Sequence, residues 1–71
     1  MTVKERYLFL KAELVRREKT MAGIAEKAAT SRMTVYRVMT GRQVGRRIRP
    51  FIAEAVGLNV AAIWPEQRRA A

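Results

Sequence analysis

Two short helical patterns sit three residues apart in the middle of this chain, and that brevity limits the fold more than any other feature. The first runs over about 21–28, where Met21, Ile24, Ala25 and Ala28 share one face and Glu26 and Lys27 point away. Thr20 stands where its hydroxyl can take a free backbone N–H. The second runs over about 32–40, with Ser31 as its cap and Gly41 as its stop. Between them only Ala29 and Thr30 are left for a turn. Helices joined this tightly cannot lie antiparallel, so they cross steeply.

The flanks are helical too. Val3, Tyr7, Leu10 and Leu14 recur at spacings of four, three and four, and Leu8 and Val15 are expected to widen that face, giving a helix at roughly 3–18. Pro50 needs no N–H in a first helical turn, so another helix begins near Ile48 or Arg49 and buries Phe51, Ile52, Ala55 and Val56. Gly57 stops it in the left-handed position. Asn59 caps one more turn with Val60, Ile63 and Trp64, and Pro65 is expected to end that turn. Trp64 reads as a plug closing the core. No run alternates as a strand does. The expectation is an all-α, compact five-helix domain over residues 1–66 with a flexible tail at 67–71, in which Arg68 and Arg69 are solvated.

Charge then says where to look. The 71 residues hold 15 Lys and Arg against six acids, all Glu, for a formal charge of +9. The N-terminal third alternates its signs, as a solvated face does. Between Glu26 and Glu54 there is no acid at all, and Lys27, Arg32, Arg37, Arg42, Arg46, Arg47 and Arg49 make that stretch +7. Such a surface asks for a polyanion, nucleic acid before anionic membrane. Arg suits bidentate phosphate and guanine contacts better than Lys. The absence of Cys, His and Asp leaves no disulfide, no Cys- or His-based metal site and no obvious catalytic group. Neither an enzyme nor a cofactor is expected. No apolar run is long enough to span a bilayer, and the start of the chain lacks a signal-peptide pattern, so a cytoplasmic protein is expected.

On a helical wheel, Val35 and Val38 of the 32–40 segment fall on one side with Met39 and Thr34 at its margins. Arg32, Met33, Tyr36, Arg37 and Thr40 fall on the other. An ordinary solvated face usually mixes in Glu, and this one has none. A helix fits the major groove of B-DNA, where Arg reads guanine O6 and N7 and apolar groups meet the thymine methyl. The arrangement is that of a helix-turn-helix.

The residues also carry a resemblance. Ile24-Ala25, Ala29, Val35 and Val38 fall where helix-turn-helix domains of the lambda-repressor type keep their packing residues. The stretch Ile52-Ala53-Glu54-Ala55-Val56-Gly57-Leu58, followed by Ile63-Trp64-Pro65, resembles the Ner family of small phage regulators related to Mu. The likeness covers roughly Leu14 to Glu66. It implies a lambda-repressor-like DNA-binding domain, acting in a bacterial host cell on phage operators or promoters and nucleoid-associated when bound. It places Ser31, Arg32, Met33, Tyr36, Arg37 and Thr40 where base and near-base contacts are made. Thr20, Lys27, Arg42, Arg46, Arg47 and Arg49 would meet the phosphate backbone. Ala29 stands where the family usually has Gly, which is comfortable only if the backbone there avoids the left-handed region. Met21 stands where such repressors often brace a phosphate with Gln.

Three functions therefore remain in view. The first is a sequence-specific regulator of transcription on double-stranded DNA, serving phage or prophage early or transposition genes. The second is a sequence-independent or architectural nucleic-acid binder. The third is an adaptor whose basic face docks an acidic protein such as a transposase or another transcription or transposition protein of phage or host. A monomer in solution that pairs, if at all, on DNA is expected.

Overall fold

Each helix starts and stops for a local reason. The computed structural model describes residues 1–66. Helix α1, Val3–Arg16, opens with a capping box: the Thr2 hydroxyl accepts from the Glu5 N–H, and the Glu5 carboxylate accepts from the Thr2 N–H. Helix α2, Met21–Lys27, is capped by Thr20, whose hydroxyl accepts from Gly23 N–H at 3.0 Å. Helix α3, Arg32–Met39, is capped by Ser31 in the same way through Thr34 N–H. Helix α4, Arg49–Val56, carries Pro50 in its first turn and ends on Gly57 at φ 70°. Helix α5, Val60–Ile63, is a single turn.

The expected helices are all present, and no strand occurs among the described residues. Pro65 does not end helical structure in the expected way: the backbone breaks at Trp64, and Pro65 and Glu66 are helical again. Glu66 is tied back to Arg6 at 3.1 Å, so it belongs to the packed domain and not to a frayed tail. The expected tail at 67–71, with Arg68 and Arg69, lies outside the described residues.

One core serves all five helices. It is built from Leu10, Leu14, Ile24, Ala25, Ala28, Val35, Val38, Met39, Ile48, Ile52, Ala53, Val56, Ile63 and Trp64. Tyr7, Met21, Phe51, Ala55 and Val60 pack against its edge. The small residues Ala25 and Ala28 let α2 sit close to its neighbours. The buried face of α1 is narrower than its sequence suggests. Leu8 is 52% and Val15 72% exposed, because the other helices reach α1 only along the Leu10–Leu14 side.

The connections are tight. Gly45 has φ 54°, and a Cβ there would strike the Val38 side chain, so only glycine lets the loop lie on α3. Between α2 and α3, Ala29 takes φ 54°. The backbone therefore adopts the left-handed conformation that an alanine tolerates poorly, contrary to the requirement stated from the sequence. It does so because a short turn must satisfy the end of α2: Thr30 N–H bonds Ala25 O at 2.9 Å. An L-residue in this region costs roughly 1–2 kcal/mol. Glycine would relieve that and return about 0.4–1 kcal/mol through its freer unfolded chain. Ala29→Gly should therefore stabilise the domain by up to about 1 kcal/mol, raising Tm by several degrees in a thermal melt. An unchanged or lowered Tm would show that the turn is not strained.

Candidate nucleic-acid interface

Helix α3 holds its outward side chains on a rigid base. Val35, Val38 and Met39 are fully buried beneath it, while Arg32, Met33, Tyr36 and Arg37 are exposed. Its hydroxyl groups are largely occupied. Ser31 Oγ accepts from Thr34 N–H and shares a 3.0 Å hydrogen bond with Thr34 Oγ1. Thr40 Oγ1 donates to Tyr36 O at 2.9 Å, so its methyl group is the part left over for a partner. The free polar groups of this face are therefore two guanidinium groups and the Tyr36 hydroxyl.

Two concavities flank the face. Thr20, Met21, Ala22, Ser31, Arg32, Met33 and Tyr36 line one, between the starts of α2 and α3. Val3, Lys4, Tyr7, Tyr36, Thr40 and Arg42 line the other, between α1 and the end of α3. Tyr36 is the ridge between them. Its ring meets Tyr7 edge-on, with centroids 5.7 Å apart and planes at 84°, which ties α1 to the exposed face. The Lys11 ammonium lies 6.0 Å from the Tyr7 ring. Lys4 and Lys11 thus join this surface, a role that the sequence reading missed by treating α1 as a solvated helix of mixed sign. The signal was present: Lys4, Tyr7 and Lys11 recur at spacings of three and four.

The six residues expected to meet phosphates are not all placed alike. Thr20 and Arg42 line the two concavities. Arg46 is exposed in the loop before α4. Lys27 lies beyond the reading face, 3.6 Å from Glu54 in a third hollow lined also by Phe51. Arg47 donates to Ala28 O at 2.7 Å and so clasps the end of α2, which accounts for part of its donor capacity. Arg49 is not a phosphate ligand in waiting. It is only 7% exposed, its Nε donates to Val44 O at 2.8 Å, and its guanidinium lies 5.0 Å from the Trp64 ring centroid. Burial pulls its pKa down from the ordinary value, while Glu66 nearby pushes the other way. The indole ring accepts a cation on its face, so this charge could turn inward.

Three carboxylates are taken up in ion pairs, none of them with a cation of α3. Glu13 is engaged by Arg16 and Arg17, and the hydrogen bond from Arg16 holds its carboxyl below the ordinary value. Glu66 is taken by Arg6 and Glu54 by Lys27. Among the described residues, Lys4, Lys11, Arg32, Arg37, Arg42 and Arg46 have no carboxylate within ion-pair distance. The surface can therefore donate hydrogen bonds to acceptors and attract a polyanion without first breaking internal pairs. No cluster of His, Cys, Asp or Glu able to hold a metal occurs among the described residues. No described helix is long and apolar enough to cross a membrane.

Comparison with known proteins bears on the same elements. A family model described as winged helix-turn-helix DNA-binding matches residues 9–69. The chain belongs to this family. The helix-turn-helix is α2, the turn at Ala29 and α3, and DNA binding is the property that the family shares. A wing built as a β-hairpin has no counterpart among the described residues, which contain no strand. No curated protein and no solved structure matches the chain.

Proposed function

We propose that this helix-turn-helix protein is a sequence-specific regulator of transcription that lays α3 in the major groove of double-stranded DNA. The observation that carries this reading is the outward face of α3, where Arg32 and Arg37 stand exposed and without a carboxylate partner among the described residues. In this reading the two guanidinium groups read guanine O6 and N7. Ser31, Met33, Tyr36 and Thr40 line the groove edges beside them. Thr20, Lys4, Lys11, Arg42 and Arg46 hold the backbone on either side and set the register. Occupancy of the site blocks or recruits polymerase or transposition machinery, with no catalytic step. The target genes we propose are phage or prophage early or transposition genes, on the likeness of the 52–58 and 63–65 stretches to the Ner family. Acting there places the protein in the cytoplasm of a bacterial host.

A second reading, a sequence-independent grip, is favoured by the exposed Arg42 and Arg46 in the loop between α3 and α4. Selection from a random duplex pool at near-physiological salt separates the two. A defined motif is expected, and binding without enrichment would give the second reading the lead.

The salt dependence gives an independent check. With Arg49 buried, Arg47 bound to Ala28 and Lys27 beside Glu54, four cations remain for phosphates: Lys4, Lys11, Arg42 and Arg46. Each neutralised phosphate contributes about −0.9 to the slope of log K against log salt, so a slope near −3.6 is expected. A slope shallower than about −2 would mean that the two flanks do not both engage the backbone.

A further inference from the structure

The concavity beside Arg32 is apolar in a way that DNA backbone contacts do not require. Two of its hydroxyl oxygens already accept from the backbone, Thr20 Oγ1 from Gly23 N–H and Ser31 Oγ from Thr34 N–H, which leaves the Arg32 guanidinium and the Tyr36 hydroxyl as its free polar groups. Its remaining walls are Met21, Ala22, Met33 and the ring of Tyr36. Met33 is 55% exposed, and none of the described residues covers it. No carboxylate or carboxamide side chain lines this hollow, so it lacks the groups that pair best with the amino groups of adenine and cytosine. One major-groove feature matches an apolar hollow next to an Arg donor: the C5-methyl group of a pyrimidine, which lies at the groove wall nearest its own strand's backbone. Two thioethers suit such a contact because they are unbranched and polarisable.

We infer that Met21 and Met33 form a cradle for a pyrimidine C5-methyl group, so that the protein reads thymine beside guanine and responds in the same way to 5-methylcytosine. The inference rests on the proposed reading of the major groove by α3. It predicts a motif that pairs each guanine read by Arg32 with a neighbouring thymine. Burial of one methyl group corresponds to about fourfold in affinity. A cytosine in that position should bind poorly, and its C5-methylation should recover a similar factor.

The test runs two selections in parallel, from random duplex pools made with thymine or with uracil throughout. The expected result is a motif with a fixed thymine from the first pool and loss of preference at that position from the second. Individual duplexes then carry T, U, C or 5-methylcytosine at the position. Removing the thymine methyl should weaken binding three- to fivefold, and methylating the cytosine should strengthen it by a similar factor. Met33→Ala should bring both ratios to about one while leaving the thermal melt unchanged, since Met33 is outside the core, and Met33→Leu should keep most of each. The same motif from both pools would overturn the cradle and leave sequence reading standing. No motif from either pool would overturn both. A thymine ratio without a cytosine ratio would overturn the response to 5-methylcytosine alone. A Met33→Ala variant with undiminished ratios would remove the side chain named here from the contact.

Discussion

Trp64→Ala should lower the melting temperature by more than about 10 °C, as followed by helical circular dichroism and thermal melting. Truncating a buried Trp typically costs about 3–5 kcal/mol. A domain of this size has about 4–10 kcal/mol of stability in total, so one such change removes about a third of it or more. The side chain is fully buried, and it follows α5 and faces two cations, with Arg6 at 5.9 Å and Arg49 at 5.0 Å from the ring. Arg6 also bonds Ile63 O and Glu66, so the indole joins the start of α1 to the end of the described chain. Without the ring, the buried Arg49 loses an aromatic neighbour and faces a cavity. Trp64→Phe keeps an aromatic face for both guanidinium groups and should lose far less. Retention of a cooperative melt near the wild-type temperature in Trp64→Ala would show that the core closes without this plug.

The elements that sequence made plain are those decided by short-range physics. Thr20 and Ser31 cap because a hydroxyl two or three residues before a free N–H can hardly do otherwise, and Gly57 stops α4 because it alone enters the left-handed region freely. The outward face of α3 was equally legible, since the wheel separates Val35 and Val38 from Arg32, Met33, Tyr36 and Arg37. What escaped depends on which helix lies beside which. Arg49 reads as one more cation of a basic loop, and its hydrogen bond to Val44 O and its packing against Trp64 turn it inward. Leu8 and Val15 read as core because spacing gives a direction and not a width. The contribution of Lys4 and Lys11 is half legible: their spacing with Tyr7 gives one helix face, but that this face adjoins α3 follows from the contact between Tyr7 and Tyr36, 29 positions apart. At Ala29 the residue type asks for a backbone clear of the left-handed region, and the short turn does not allow it.

Arg32→Ala and Arg37→Ala should each remove sequence discrimination much more than they remove affinity for random duplex. A good bidentate contact to a base is worth about 1–3 kcal/mol of discrimination, or roughly 5- to 150-fold. Neither guanidinium makes an ion pair or hydrogen bond within the described residues, so both changes should leave stability within about 0.5 kcal/mol of wild type. That separates lost reading from lost folding, which Trp64→Ala could not do. The two positions are five residues apart on a helix, far enough for their effects to add approximately. The double variant should therefore bind the selected site barely better than random DNA. Lys4→Ala and Arg42→Ala provide the contrast: each should weaken all duplexes uniformly and make the salt slope shallower by about one unit. Titration of each variant against the selected duplex and a scrambled one, at matched salt, measures both quantities together. If Arg32→Ala weakened the two duplexes equally, its guanidinium would be holding a phosphate, and the reading of guanine would have to rest on Arg37 alone.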